Sequence, residues 1–95
     1  MNYYVLTYKT SDNFLEERKK YRVEHLALAQ EQLQKGQLVL GGALDEPADE
    51  ALLVFKGADA EVAKSFAQKD PYVKNGLIRE WTVRKWNVVI GTLLE

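Results

Sequence analysis

The chain opens with aromatic and β-branched residues and then changes to a helical spacing of apolar positions. The run from Tyr3 to Tyr8 predicts a first strand, which ends at the loop-forming residues 11–13. From Phe14 to Lys35 the apolar positions recur at about 100° per residue, the spacing of a helix. Asn13 stands where an N-terminal cap is expected, and Gly36 stands where a helix stops. This part of the chain therefore predicts one strand followed by one long helix.

One side of the predicted helix is apolar and includes the single histidine of the chain. The positions on this side are Phe14, Leu15, Tyr21, Arg22, His25, Leu26, Leu28, Ala29 and Leu33. His25 lies near the centre of this stripe, three residues after Arg22. Histidine is the side chain whose ordinary pKa lies closest to neutrality, so an inward-facing imidazole needs a chemical or structural explanation. We therefore take His25 as the first candidate for a functional site.

Two shorter strands are predicted in the middle of the chain. Leu38–Leu40 leads into a flexible corner at Gly41 and Gly42, and Ala51–Lys56 forms the next apolar run. The acidic segment 45–50 joins the two runs. Together they predict a hairpin with a long loop.

A second helix and a last strand complete the pattern. Asp59 is placed to cap a helix with apolar residues at 62, 63, 66 and 67. Asp70 marks the end of this helix, because a residue that precedes proline avoids the helical region. Alternation from Leu77 to Ile90 predicts a long last strand, interrupted by a bulge.

The predicted order is βαββαβ, which is typical of a ferredoxin-like α+β sandwich. Two helices would cover one face of a four-stranded antiparallel sheet. Strands one and three are apolar on both sides, although a sheet with one wet face should alternate between apolar and polar residues. We expect a second copy of the chain to cover the helix-free face, giving a homodimer. A different partner and an aggregation-prone monomer are the open alternatives.

Length and composition limit the function classes. The 95 residues predict a single domain, 1–95, and 13 basic against 14 acidic residues give no electrostatic surface for nucleic acid. Because cysteine is absent and histidine occurs once, disulfides, thiolate metal sites and multi-histidine metal sites within one chain are excluded. No nucleotide-binding glycine motif is present, so we expect no cofactor and no metal. The sequence has no signal-peptide pattern and no membrane-spanning run, which predicts a cytoplasmic protein.

Several short motifs occur together along almost the whole chain. They are Arg22-x-x-His25, Gly36, Gly42-Ala43-Leu44, Asp70-Pro71-Tyr72, Gly76 and Trp86. In this combination the sequence resembles the YCII-related (YciI-like) family of the dimeric α/β-barrel superfamily. The resemblance implies a homodimer of largely unassigned activity, with His25 and Asp70 as the active-site pair in a pocket between sheet and helices.

The sequence departs from the family pattern in two places. Ala43 stands where the family usually has proline, which changes one wall of the implied pocket. The tail, about 87–95, is longer than the family needs. A dimer contact and, for Leu94-Glu95, a remnant of an expression vector are both open explanations.

Two interpretations of the histidine and aspartate pair remain open. In the functional one, Asp70 accepts a hydrogen bond from one ring nitrogen of His25, and the other nitrogen serves as general base or acid. In the structural one, the aspartate only satisfies a core histidine or ends a turn before Pro71.

Five further residues are candidates for substrate binding. Arg22 would hold a substrate carboxylate or phosphate, or else form a surface ion pair. Tyr8, Tyr72 and Trp81 would line an aromatic pocket, or else belong to the core or the dimer interface. Gly42 would let a ligand approach the backbone, or else only form a tight corner.

The sequence thus predicts a YciI-like protein that acts on a small organic molecule. The first hypothesis is a cofactor-independent enzyme of the isomerase, lyase or hydrolase type that transfers a proton through His25 and Asp70. The alternative is a non-catalytic homodimer that binds or senses a small ligand. Nucleic-acid binding is set aside because the third strand lacks the basic and aromatic pattern of RNA-recognition motifs.

Overall fold

The computed structural model describes residues 2–92, which form a four-stranded antiparallel sheet, four α-helices and one 3-10 turn. The elements in chain order are β1 (Asn2–Thr10), α1 (Phe14–Glu17), a 3-10 turn (Arg18–Lys20), α2 (Arg22–Gln34), β2 (Leu38–Ala43), β3 (Glu50–Gly57), α3 (Glu61–Lys69), α4 (Pro71–Lys74) and β4 (Ile78–Trp86). The strand order in the sheet is β2-β3-β1-β4. This arrangement confirms the predicted ferredoxin-like βαββαβ sandwich. The open question about Leu94-Glu95 lies outside the described residues.

The core lies between the helices and one face of the sheet. Strand register places Tyr4, Leu6 and Tyr8 of β1 beside Phe55, Leu53 and Ala51 of β3. All six of these side chains are buried. Phe66 of α3 packs against Phe55 with ring centroids 5.3 Å apart. The alternation of the strands thus directs one set of side chains into a core that α1, α3 and α4 close.

The opposite face of the sheet has no helix over it within the described residues. Register places Val5 and Val54 side by side on this face, and puts Leu40, Leu52 and Trp86 there as well. Leu40 is 57% exposed, Leu52 36% and Trp86 51%. Exposed apolar side chains of the kind on which the homodimer prediction rests are therefore present on this face, and the partner itself stays a prediction.

The predicted single helix from Phe14 to Lys35 is wrong, because the 3-10 turn interrupts it. Five consecutive charged residues, 16–20, offer no apolar side chain that could hold this part of a helix against the core. The break allows both Phe14 and Tyr21 to pack on the core. The Asn13 side chain makes no capping hydrogen bond, so the predicted N-terminal cap is also wrong.

The apolar stripe of the helix is only partly buried. Leu15, Leu26 and Leu33 are each about half exposed, and α2 has no fully buried residue. The reason is that part of α2 faces a pocket rather than the sheet: Leu26 and Ala29 line an open space above β2 and β3.

The last strand is shorter than predicted and ends at Trp86 instead of Ile90. The final pair is Tyr3 with Trp86, and the neighbouring strand β1 begins at Asn2, so later residues have no strand to pair with. Val89 and Ile90 are exposed. The predicted bulge is confirmed, because Lys9 pairs with Glu80 while Thr10 pairs with Ile78, which leaves one residue of β4 unpaired.

Candidate active site

Asp70 lies at the junction between α3 and α4 and is fully buried. Its backbone is extended, at φ −66° and ψ 123°, as Pro71 requires of the preceding residue. The Tyr72 backbone N–H donates to Asp70 Oδ1 at 3.0 Å, so the carboxylate caps α4. The Asp-Pro sequence therefore both ends one helix and fixes the carboxylate at the start of the next.

The Asp70 carboxylate joins three parts of the fold. The Tyr8 hydroxyl of β1 donates to Oδ2 at 2.7 Å. His25 Nδ1 of α2 lies 2.9 Å from Oδ1. Because a carboxylate only accepts hydrogen bonds, this contact selects the His25 form in which Nδ1 carries the proton.

Tyr8 acts as a fixed donor in this arrangement. Burial raises the pKa of Tyr8 well above its usual value, and the negative charge of Asp70 raises it further. The hydroxyl therefore keeps its proton and always donates a hydrogen bond to Asp70. Tyr8 was predicted as a pocket-lining residue. It does line the pocket, and it also holds the carboxylate in place.

Aromatic rings fix the orientation of the His25 imidazole. It stacks on the Tyr72 ring at a centroid distance of 3.9 Å and an interplanar angle of 9°. The Phe66 ring meets it edge-on at 6.1 Å. Nε2 has no hydrogen-bond partner among residues 2–92 and is not sealed from solvent. The ring is therefore held by the stacked Tyr72 ring, by the edge contact with Phe66 and at Nδ1, while Nε2 stays available.

A pocket of about 200 Å³ opens in front of this imidazole, between α2 and the sheet. Its lining includes Tyr8, Phe14, Arg18, Arg22, His25, Leu26, Ala29, Leu38, Gly41, Gly42, Ala43, Ala51, Leu53 and Tyr72. The walls are mostly apolar, and the two arginines, the imidazole and the two tyrosines are the lining side chains that carry polar groups. Such a mixture is typical of a small-molecule site.

Most residues predicted for the site meet at this pocket. His25 lines it with Asp70 directly behind, and Arg22, Tyr8, Gly42 and Tyr72 also line it. Trp81 does not, because it lies opposite Tyr8 on β4 and packs against the core. Trp81 therefore fits the core position that the sequence left open.

Arg18 was not among the residues predicted for the site, and it also lines the pocket. Its guanidinium lies over the Phe14 ring, 5.6 Å from the centroid. Its position four residues before Arg22 was the available signal, because residues at this spacing share one side of a helical segment.

A model of the YCII-related domain matches residues 1–87. The chain belongs to the YCII-related family. No curated protein matches the sequence significantly. In the part of the chain that the structure describes, no group of three or more histidine and acidic side chains is arranged to hold a metal ion. Across the same residues, none of the helices has the length and hydropathy needed to cross a membrane.

Solved structures with the same fold include three proteins of different names. A 5-chloro-2-hydroxyhydroquinone dehydrochlorinase from Burkholderia phenoliruptrix, in complex with 2,5-dihydroxybenzoquinone, gives a TM-score of 0.73 at 22% identity, over 88% of this chain and 92% of that one. A NIPSNAP family protein from Agrobacterium tumefaciens gives 0.61 at 16% identity, over 98% and 97%. A protein named for antibiotic biosynthesis monooxygenases, from Bacteroides thetaiotaomicron, gives 0.61 at 21% identity, over 99% and 94%. These similarities confirm the ferredoxin-like α+β fold.

Proposed function

We propose that this YCII-related protein is an enzyme that transfers a proton on a small organic substrate, with His25 Nε2 as the general base or acid. The observation that carries the proposal is the contact between His25 Nδ1 and the buried Asp70 carboxylate at the back of the pocket. A histidine held in this way presents a lone pair on Nε2, and the carboxylate stabilises the imidazolium that forms when a proton is taken up. Asp70 acts through His25 and is a positioning residue.

The dehydrochlorinase supports this class of reaction, because its name describes the removal of hydrogen chloride from a hydroxylated ring. Removal of a proton next to an electron-withdrawing group is a step that a positioned imidazole can perform without a cofactor. The proposal for this chain is therefore cofactor-independent proton transfer of the lyase or isomerase type, on a hydroxylated ring or a short-chain acid. Hydrolysis by an activated water is a third reaction type that the same base could support.

The proposal is tested by incubating the protein with hydroxylated quinones, phenols and short-chain acids in D₂O and following products and hydrogen exchange by NMR. We expect turnover of at least one compound, and a loss of about 100-fold or more in His25→Gln, as is usual when a general base is removed. Asp70→Asn should also reduce turnover. Undiminished turnover in His25→Gln would contradict the proposal. Binding without turnover by any compound would favour a ligand-binding protein.

The hydrogen bond can be tested without a substrate. Because His25 is the only histidine, its ¹⁵N signals need no assignment. The measurement is made well above the pKa of a free imidazole, which is about 6.5. There we expect the proton on Nδ1 in the wild type and a mixture of both neutral forms in Asp70→Asn. The same mixture in both proteins would contradict the role given to Asp70.

We also propose that two copies pair through the helix-free face of the sheet. The exposed side chains of Leu40, Leu52 and Trp86 support this, since contiguous apolar surface on a sheet marks an interaction site. Sedimentation should give a dimer for the wild type and a monomer for Leu52→Asp. A control on the outer surface, Lys64→Asp, should remain dimeric. A monomeric wild-type protein would contradict this proposal.

A further inference from the structure

The Tyr72 hydroxyl is a buried polar group that no described side chain or backbone group satisfies. Tyr72 is 3% exposed, and its ring both stacks on His25 and lines the pocket. A buried hydroxyl without a hydrogen bond is costly, and such groups in folded proteins usually have a partner. The structure therefore has an unused hydroxyl beside the proposed base.

Two arginines lie close to this hydroxyl. Burial raises the pKa of Tyr72, while the positive charges of Arg22 and Arg18 lower it. Arg18, Arg22 and Tyr72 all line the same pocket.

Neither arginine has an acidic partner among residues 2–92. Other cations of the same helical region do have one: Lys19 pairs with Glu16, and Lys35 pairs with Glu31. Two unpaired guanidinium groups at one pocket carry ten N–H donors and no acceptor, so an anionic oxygen is the complement that this arrangement lacks.

The size of the pocket limits what such an anion can be. A cavity of roughly 150 Å³ accommodates benzene. This pocket, at about 200 Å³, therefore has room for one six-membered ring with a few small substituents. Its apolar lining from Phe14, Leu26 and Leu53 suits the faces and edges of such a ring.

We propose that Arg18, Arg22 and the Tyr72 hydroxyl form an anion subsite that binds the ionised oxygen of a single-ring organic acid, phenolate or enolate. This proposal rests on the proposed function and names its substrate class. The bound oxygen would lie beside His25, so the subsite would both select the substrate and stabilise negative charge that develops when His25 removes a proton.

The test uses two probes of the same size, benzoate and benzamide, whose binding is measured by calorimetry. We expect the wild type to prefer benzoate by about tenfold or more, which is the effect of a charge-assisted hydrogen bond. Arg18→Gln and Arg22→Gln should each reduce benzoate affinity by about tenfold and leave benzamide affinity unchanged. Tyr72→Phe, which keeps the ring that stacks on His25, should also weaken benzoate binding.

Lys20→Gln is the matched control, because it removes one positive charge from the same segment at a residue outside the pocket. It should retain the preference for benzoate. Equal binding or no binding of the two probes by the wild type would overturn the proposal. An unchanged preference for benzoate in both arginine variants would also overturn it, as would unchanged benzoate affinity in Tyr72→Phe. A loss of benzoate affinity in Lys20→Gln as large as in the arginine variants would do so too.

The subsite and the proton-transfer function can fail separately. His25→Gln removes the proposed base and leaves both arginines and the hydroxyl in place, so it should still prefer benzoate. A preference for benzoate without turnover of any compound would support the subsite and contradict the proposed function. Turnover that depends on His25, without a preference for benzoate, would support the proposed function and contradict the subsite.

Discussion

Tyr8→Phe removes one hydroxyl from the buried centre of the protein and keeps the ring. In the wild type this hydroxyl donates to Asp70 Oδ2 at 2.7 Å, and neither residue has appreciable exposure. A hydrogen bond to a charged group contributes about 1.5–3 kcal/mol, and the substitution leaves no cavity, so we expect a loss of about 2 kcal/mol at neutral pH. For a domain of this size that corresponds to a fall in Tm of roughly 10 °C.

The pH dependence gives a sharper form of the same prediction. The pKa of Tyr8 is raised in the folded state, so its contribution is complete below the unfolded value of about 10 and is lost as pH rises above it. This loss amounts to about 1.4 kcal/mol per pH unit and occurs only in the wild type. The difference of about 2 kcal/mol in unfolding free energy between the wild type and Tyr8→Phe should therefore disappear at about pH 11.5. Tyr72 also has a raised pKa, but it is present in both proteins and cancels.

The assay is urea unfolding of both proteins by circular dichroism, at one protein concentration, from neutral pH to about pH 11.5. Equal m values would show that both proteins unfold to the same extent. Equal stability of the two proteins at neutral pH would refute the hydrogen bond. A stability difference that does not shrink above pH 10 would refute the argument that Tyr8 keeps its proton in the folded state.

Three further substitutions test the packing around the site. Phe66→Ala should lower the free energy of unfolding by about 3–5 kcal/mol because it removes a buried ring that contacts Phe55; thermal unfolding measures this, and a loss below about 1 kcal/mol would contradict it. In Gly57→Ala the new Cβ would lie 2.9 Å from a Val62 methyl group, and we expect a loss of about 1–3 kcal/mol. Gly42→Ala meets nothing within 4 Å and should change urea stability by less than about 0.5 kcal/mol, so equal effects of the two glycine substitutions would refute the packing argument.

The parts of the fold that follow from local sequence rules were predictable. Asp70 ends α3 because Pro71 restricts it, and Gly36 follows α2 with a positive φ of 74°. The Asp59 side chain accepts the Glu61 backbone N–H at the start of α3, as a cap should. The pairing of His25 with Asp70 was expected from a family resemblance and not from spacing.

Other features depend on contacts between distant parts of the chain. The hydrogen bond from Tyr8 to Asp70 joins residues 62 positions apart, and no local pattern indicates it. β4 ends at Trp86 because its pairing partner β1 begins there. The alternation of residues in β4 does not indicate where β1 begins. The 3-10 turn places Arg18 at the pocket, and in the sequence only its spacing from Arg22 distinguishes it from the surrounding run of surface charges.

The Asp70 carboxylate joins β1, α2 and α4. The residues at the pocket therefore fall into two groups that differ in how freely they can be substituted during evolution. Replacing Tyr8, His25 or Asp70 disturbs buried hydrogen bonds or stacking and so affects folding as well as chemistry. Arg18 and Arg22 lie at the open side, where substitutions have small effects on stability. We therefore expect relatives that accept different molecules to differ at these two positions, while Tyr8, His25 and Asp70 stay the same.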